Sequence, residues 1–458
     1  QAGTGVDTTA VLDASITNIE TVEIRDVATN DGGSGASTIT TATVTINAGF
    51  TGTSLTVDGS ALDAHPTTLT SGERLSLDAS NNAATEAVTA LGGAFSDSLV
   101  GGSGADTLTG NGGADTLTGG AGNDVISGGA GADAITGGAG IDNIDAGAGN
   151  DTITVSTFTD FKTSGGAETV DGGAGNDTIS FTQATSLTLT APELEAITGI
   201  ETIDAADSIA GNPTSVTLGN GFFTSNGSST IIFDGNDTAN NDADNKLDLS
   251  SVSNGSATFY GNDTQAAAVD TFLGGSGDDT WIVTGTTAQI TGASDVYNGN
   301  GGTDRFLIVN SANTTSTIDF SNVTNVEKAE VQLNSSGVVV IALGSVASTD
   351  SEPATFEVDG SAVTSSTGTL SFNNGNTDES AMATVFTLKG GVNGDTLAGG
   401  YQADTITGNG GADVLRGNTG ADTITGGSGA DTILGGAGAD NITSLGGVDS
   451  ITGGTGND

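Results

Sequence analysis

Large aliphatic residues return at every ninth position in two stretches of the chain. The first series is Leu99, Leu108, Leu117, Ile126, Ile135, Ile144 and Ile153, and the second is Leu397, Ile406, Leu415, Ile424, Ile433, Ile442 and Ile451. Polar or small residues flank each position, as in Thr107-Leu108-Thr109, so strand alternation points the aliphatic side chain inward and its neighbours outward. Because nine residues cannot bury their own apolar face, two nonapeptides form one coil and coils must stack. The pattern predicts an all-β fold, a parallel β-roll or β-helix solenoid.

An aspartate precedes each aliphatic position by two residues. The regular series is Asp97, Asp106, Asp115, Asp124, Asp133, Asp142 and Asp151, then Asp395, Asp404, Asp413, Asp422, Asp431, Asp440, Asp449 and Asp458. Residues 119–127, GGAGNDVIS, show the frame GGxGxDxUx, where U is a large aliphatic residue. Further copies are complete at Asp177 and Asp279 and partial at Asp304. We interpret these aspartates as candidate metal ligands.

The glycines of the frame predict a turn whose carbonyl oxygens face one point, since glycine adopts backbone angles closed to other residues. The candidate glycines are Gly102, Gly104, Gly120, Gly122, Gly138, Gly140, Gly427, Gly429, Gly436 and Gly438. With the aspartate, each turn supplies half of an oxygen site. Calcium takes six to eight oxygens, so half-sites on successive coils can complete one shell. The sequence therefore predicts multiple bound calcium ions.

Charge leads to the same prediction. The chain has 56 acidic and 8 basic residues, with a formal net charge of -48. This excludes nucleic acid as a partner, because phosphate recognition needs a basic surface. Two carboxylates about 5 Å apart repel by roughly 3 kcal/mol at an effective dielectric constant near 20. Stacked aspartates therefore need counter-ions, and we expect the repeat blocks to be largely disordered without calcium.

The segments between the nonapeptide runs also predict strands, but without the GGxGxD frame. We divide the chain into β-rich segments 1–90, 181–272 and 311–388, nonapeptide blocks 91–180 and 389–458, and a short degenerate block 273–310. The β-rich segments share a heptapeptide, Ile-Thr-Gly-Ile-Glu-Thr-Ile at 197–203, with copies at 16–22 and 323–329. Its glutamates, Glu20, Glu201 and Glu327, are candidate ligands or catalytic acids, but a solvent-facing or turn-capping role is favoured.

Candidate catalytic residues are few. His65 is the single histidine and there is no cysteine, which leaves no support for a nucleophilic triad or a zinc site. We predict no enzyme activity and no catalytic residue. Trp281, the only tryptophan, would suit a sugar-binding platform if exposed, but it occupies the inward position of its frame, which favours the core. No apolar run is long enough to span a membrane.

The GGxGxD frames at about residues 92–179, 274–309 and 390–458 resemble those of the RTX family of type I-secreted calcium-binding proteins, and the interleaved Thr-rich segments resemble RTX-type surface-layer (S-layer) proteins of alphaproteobacteria such as Caulobacter. The resemblance implies that each ion is shared by frames eighteen residues apart, Asp106 with Asp124, Asp115 with Asp133 and Asp404 with Asp422. It also implies a location outside the cell, on the surface of a Gram-negative bacterium. The export signal and anchor are expected outside residues 1–458.

Two functions follow as expectations. The first is a calcium-dependent structural protein that self-assembles into a surface layer or filament, with cell-surface polysaccharide as a partner through regions outside this chain. The alternative is a fragment of an RTX adhesin that binds sugars, ice or another cell through its threonine arrays. A secreted enzyme is a third and weaker alternative.

Overall fold

The computed structural model describes the chain in segments. They are residues 8–12, 21–23, 41–46, 54–60, 74–81, 86–155, 168–182, 187–189, 196–204, 214–220, 222–223, 230–234, 246–253, 255–261, 271–284, 296–310, 315–319, 323–333, 338–342, 355–363, 369–373 and 384–458. Within these ranges nearly all regular structure is β-strand, and no helix has the length and apolar character needed to span a membrane. The predicted all-β class is confirmed.

The strands are short and regularly spaced. They are β1 Thr8–Leu12, β2 Thr21–Glu23, β3 Thr41–Ile46, β4 Ser54–Asp58, β5 Arg74–Asp78, β6 Ala87–Leu91, β7 Ser98–Gly102, β8 Thr107–Gly112, β9 Thr116–Ala121, β10 Val125–Ala130, β11 Ala134–Ala139, β12 Asn143–Ala148, β13 Thr152–Val155, β14 Thr169–Asp171, β15 Thr178–Phe181, β16 Leu187–Leu189, β17 Ile197–Thr198, β18 Thr202–Asp204, β19 Thr214–Thr217, β20 Thr230–Asp234, β21 Lys246–Asp248, β22 Ser256–Gly261, β23 Thr271–Leu273, β24 Thr280–Thr284, β25 Val296–Asn298, β26 Arg305–Asn310, β27 Thr315–Asp319, β28 Val323–Thr324, β29 Lys328–Leu333, β30 Val338–Ala342, β31 Thr355–Asp359, β32 Thr369–Asn373, β33 Val385–Lys389, β34 Thr396–Ala398, β35 Thr405–Thr407, β36 Val414–Thr419, β37 Thr423–Thr425, β38 Thr432–Ala437, β39 Asn441–Thr443 and β40 Ser450–Thr455.

The chain forms two compact units, and the first comprises residues 1–184, 189–206 and 221–228. Its strands alternate between two parallel sheets, so each coil gives one strand to each sheet. In one sheet β7, β9, β11, β13 and β15 are neighbours in chain order, and in the other β6, β8, β10, β12 and β14 are. Leu117 pairs with Ile135 and Ile126 with Ile144, a step of eighteen residues. Two nonapeptides therefore make one coil, as predicted.

The second unit comprises residues 185–188, 207–220 and 229–458. It is also built from parallel ladders. One runs β20, β22, β24, β26, β29, β31, β33, β35, β37 and β39; a second runs β19, β21, β23, β25 and β28; a third runs β27, β30, β32, β34, β36, β38 and β40. The step of two nonapeptides per coil also occurs in this unit, where Ile406 pairs with Ile424.

The predicted inward ladder forms the core. Every member of the first series and the second series up to Ile433 is at most 3% exposed. Ile451, on β40 at the edge of its ladder, is 48% exposed. The core is wider between the nonapeptide blocks, where Trp281 stacks between Phe259 and Phe306 with ring centroids 6.0 and 5.4 Å away. The prediction that Trp281 is a core residue is confirmed.

Ile126→Ala tests the inward ladder, and Val125→Ala on the same strand is its control. Ile126 is 1% exposed and Val125 is 46% exposed. In calcium, we expect Ile126→Ala to lower the free energy of unfolding by about 2–5 kcal/mol, because it leaves a cavity between stacked coils. Val125→Ala should change it by less than about 0.5 kcal/mol. Chemical denaturation at fixed free calcium measures both, and equal losses would contradict the assigned inward face.

Candidate metal sites

The candidate aspartates form columns, each aspartate directly above the one in the preceding coil. Sixteen of the eighteen are buried, while Asp449 is half-buried and Asp458 is exposed at the end of the second block. Within a column, the carboxylate Oδ1 accepts a hydrogen bond from the backbone N–H of the aspartate one coil earlier. Asp115 N–H donates to Asp133 Oδ1 at 2.7 Å, and Asp404 N–H donates to Asp422 Oδ1 at 2.8 Å. Each column is therefore a continuous chain of carboxylates.

The second carboxylate oxygen, Oδ2, distinguishes two groups among the eighteen aspartates, which together hold fifteen of them. In the larger group Oδ2 is buried and has no hydrogen-bond partner among the described residues. This group is Asp115, Asp124, Asp133, Asp151, Asp177, Asp304, Asp413, Asp422, Asp431 and Asp440. A buried charged oxygen without a partner costs free energy unless a cation or donor compensates it. These ten oxygens are thus the strongest candidates for direct metal ligands.

A backbone carbonyl oxygen converges on the same point. A Cβ atom added to Gly110 would collide with both Asp115 Oδ2 and the carbonyl oxygen of Gly128 in the next coil. Gly119 has the same surroundings, formed by Asp124 Oδ2 and Gly137 O. Two oxygens from successive coils therefore meet at an α-carbon that has no side chain. This oxygen-only donor set suits a hard cation such as calcium.

The second and third glycines of the GGxGxD frame show why glycine recurs in every repeat. Gly120 and Gly122 have φ of 114° and 129°, in the left-handed region, and added Cβ atoms would strike the carbonyl oxygens of Gly102 and Gly104 one coil earlier. The candidates Gly138, Gly140, Gly427, Gly429, Gly436 and Gly438 have the same conformation. Gly102 and Gly104 differ, since neither has a left-handed φ. At the positions with a left-handed φ, glycine is needed both for the backbone angle and because a side chain would collide with the preceding coil.

Gly102 belongs to a different kind of turn, which starts each column. In five frames the N–H of the second glycine donates to Oδ2 of its own aspartate, as Gly93 does to Asp97 at 2.6 Å. The five aspartates are Asp97, Asp106, Asp279, Asp395 and Asp404. Their Oδ1 atoms accept N–H groups from a preceding strand, such as Leu75 for Asp97 at 2.6 Å. Both oxygens of each carboxylate are therefore hydrogen-bonded to backbone, and we call these turns the closed turns.

Asparagine side chains complete four of the closed turns. Asn111 Nδ2 donates to the carbonyl oxygen of Gly92 at 2.8 Å, from one coil further on. Asn300, Asn409 and Asn418 make the equivalent bonds to Gly274, Gly390 and Gly399. All four asparagines have φ between 63° and 72°, which asparagine tolerates better than most residues. An amide donor here occupies a carbonyl oxygen that would otherwise be open to a metal.

Glutamate ends two of the columns. Asp177 N–H donates to Glu201 Oε2 at 2.9 Å, and Asp304 N–H donates to Glu327 Oε2 at 2.7 Å. Both glutamates accept a turn N–H group, as a turn-capping residue does, whereas Glu20 and His65 lie outside the described residues. Sequence reasoning missed that these glutamates continue the aspartate columns. Their spacing from the preceding aspartate, 24 and 23 residues, was the available signal.

The pKa is raised at several aspartates inside the columns. Burial is the largest cause, backbone N–H donors oppose it, and neighbouring aspartates raise it further. The pKa reaches about 7 at Asp115, Asp124 and Asp413 and about 8 at Asp304. Near pH 7, protons therefore compete with cations for these oxygens. In the described parts of the chain no three His, Cys, Asp or Glu side chains cluster, so backbone oxygens must complete any metal shell.

Comparison with known families supports calcium as the cation. The family model for the RTX calcium-binding nonapeptide repeat matches residues 91–126, 127–161, 163–180, 389–424 and 425–458. No curated protein matches the chain. The matched regions contain the two regular aspartate series and Asp177, but not Asp279 or Asp304. The chain therefore carries RTX calcium-binding repeats, and their multiple copies bind multiple calcium ions.

Asp115→Asn and Asp97→Asn compare the two kinds of turn within one column, one coil apart. Asp115 Oδ2 has no partner, whereas Asp97 Oδ2 accepts the Gly93 N–H. We expect Asp115→Asn to lose at least one bound calcium per chain and Asp97→Asn to keep the wild-type number, because only the first removes an open charged ligand. Equilibrium dialysis with elemental analysis counts the ions. An equal loss in both variants would show that closed turns bind metal as well.

Protonation of the buried carboxylates should partly replace calcium binding in stabilising the fold. The folded pKa of about 7 for Asp115 lies above its ordinary value of 3.8, so the folded state binds more protons than the unfolded state between these values. This contribution to stability is complete below the ordinary pKa and is lost as the pH rises through the folded pKa. Calcium-depleted protein should therefore show more strand by circular dichroism at about pH 5 than at about pH 8. A strand signal that falls on acidification would contradict the assignment.

Proposed function

We propose that this protein is an extracellular structural protein whose nonapeptide runs become rigid when calcium bridges successive coils. The observation that carries the proposal is the series of buried Asp Oδ2 atoms without a hydrogen-bond partner among the described residues, such as those of Asp124 and Asp133 in two different columns. Asp124 Oδ2 lies beside the carbonyl oxygen of Gly137 in the next coil, and Asp133 Oδ2 lies beside that of Ala146. An ion bound there joins two coils, so a run of such ions stiffens the whole stack. Calcium concentrations that sustain this binding are typical of the extracellular space.

Self-assembly into a surface layer or filament is the second part of the proposal. Eighteen acidic side chains are buried among the described residues, and many of the remaining carboxylates face solvent, including Asp145 and Asp171 in register on neighbouring strands. Facing acidic surfaces repel each other until a divalent cation lies between them. Calcium would thus control both the folding of each chain and the contact between copies. The resemblance to RTX-type S-layer proteins supports a lattice as the product.

An adhesive role is the alternative, and one observation favours it. Thr118, Thr136 and Thr154 are register partners on successive strands and lie on the outward face of the sheet. Thr405 and Thr423 form a similar pair in the second block. Regularly spaced hydroxyl and methyl groups on a flat sheet suit contact with a repetitive surface such as a glycan or ice.

Electron microscopy of the full chain distinguishes these functions. With millimolar calcium we expect ordered sheets or fibres, and after chelation we expect their loss. The control is Thr136→Lys, which changes the outward threonine row and leaves the aspartate columns intact. A structural assembly that uses carboxylate contacts should survive this substitution. Discrete single rods at every protein and calcium concentration would contradict self-assembly and favour the adhesin, and unchanged particles in chelator would contradict calcium control.

A further inference from the structure

The turn at Val323–Glu327 contains backbone and carboxylate oxygens in the arrangement of a nonapeptide turn, although its sequence, Val-Thr-Asn-Val-Glu, does not match the frame. It lies one coil after the turn that ends at Asp304. Gly299 N–H donates to Thr324 O at 3.0 Å, and Lys328 N–H donates to Asp304 O at 3.1 Å, so the two turns are held in register by backbone hydrogen bonds. The family match does not extend to either turn.

The carboxylate oxygen Oδ2 of Asp304 lies between these two turns. Its side chain is fully buried, and Oδ2 has no hydrogen-bond partner in the part of the chain that the structure describes. A Cβ atom on Gly299 would collide with both Asp304 Oδ2 and the carbonyl oxygen of Asn325. This is the same convergence that Gly110 shows between Asp115 Oδ2 and Gly128 O. Asn325 has φ of 52°, a left-handed angle that glycines provide in the regular frames.

Glu327 takes the position of the next aspartate. Its Oε2 accepts the Asp304 N–H at 2.7 Å, as Asp133 Oδ1 accepts the Asp115 N–H. The first unit repeats the arrangement. There Glu201 Oε2 accepts the Asp177 N–H, Asp177 Oδ2 is buried without a partner, and a Cβ atom on Gly172 would strike Gly199 O. The two turns have in common a glutamate that accepts the N–H of an aspartate whose buried Oδ2 has no partner among the described residues, which indicates a built site rather than a chance juxtaposition of acidic residues.

We propose that the turns at 299–304 and 323–327 form a calcium site of their own, with Asp304 Oδ2, the Asn325 carbonyl oxygen and the Glu327 carboxylate as ligands. This inference rests on the proposed calcium function of the repeats and extends it beyond the nonapeptide frame. The Asp177 and Glu201 turns form the equivalent site in the first unit. Each site closes a column, so the last coil of the column is joined to the following β-rich coil by metal.

Terbium luminescence excited through tryptophan tests the site on the full chain. Terbium, like calcium, prefers oxygen ligands, and the only tryptophan, Trp281, stacks on Phe306, two residues after Asp304. We expect wild-type protein to give tryptophan-sensitised terbium emission that calcium displaces. Glu327→Gln should raise the half-saturating terbium concentration about tenfold or more, because even outer partners of metal ligands contribute this much. Glutamine still accepts the Asp304 N–H, so a purely structural role would leave the titration unchanged.

Two matched variants complete the test. Glu330→Gln removes the same charge three residues further along, where Glu330 faces outward and pairs with Arg305 at 3.3 Å, and it should titrate as wild type. Asn325→Gly keeps the carbonyl oxygen and the left-handed angle that Gly199 has in the first unit, and it should also bind. An unchanged titration in Glu327→Gln would overturn the proposal. Calcium bound by the wild-type chain without tryptophan-sensitised emission would overturn it too, whereas a wild-type chain that binds no calcium would refute the proposed function itself.

Discussion

The fold depends on how columns of buried aspartates are neutralised. Each carboxylate lies one coil from the next, and the column cannot separate because the Oδ1 atom of one aspartate binds the N–H of another, as between Asp124 and Asp142. Burial and mutual repulsion both favour the protonated form, which raises the pKa of Asp124 to about 7. A divalent cation beside Oδ2 removes both costs, since it supplies charge where solvent is absent. The aliphatic ladder can then stack, because the coil spacing is fixed on both sides.

At the ends of the columns, hydrogen bonds from backbone N–H groups supply part of the stabilisation that cations supply to the other carboxylates. At the start, a closed turn directs two N–H groups at one carboxylate, and asparagines such as Asn409 occupy a carbonyl oxygen as well. These turns can form without metal, so each run begins on a coil whose carboxylate oxygens already have hydrogen-bond partners. At the other end, Glu201 and Glu327 complete the chain of N–H acceptors. The first turn of each column therefore needs no cation, whereas the open turns that follow it depend on one.

Much of the repeat architecture could be predicted from the sequence, because the nine-residue period fixes the inward position, the coil length and the aspartate columns. The division between open and closed turns could not be predicted in this way. In the frame of Asp97 the N–H of Gly93 donates to Oδ2, whereas the frame of Asp115 has Asn111 in the place of this glycine, with φ of 71°, and Oδ2 has no partner among the described residues. The glutamate ends were also missed in part, since Glu327 lies 23 residues from Asp304, outside the eighteen-residue step. The six segment boundaries remain a prediction.

Anomalous diffraction from crystals grown in calcium tests the central claim most directly. The account predicts peaks in columns, each beside an orphaned Oδ2 such as those of Asp115, Asp133 and Asp151, at successive eighteen-residue steps. The same map should show no peak beside Asp97 Oδ2, which its own turn already binds. Intact, stacked coils without any peak along these columns would contradict the claim that bound calcium holds the runs together.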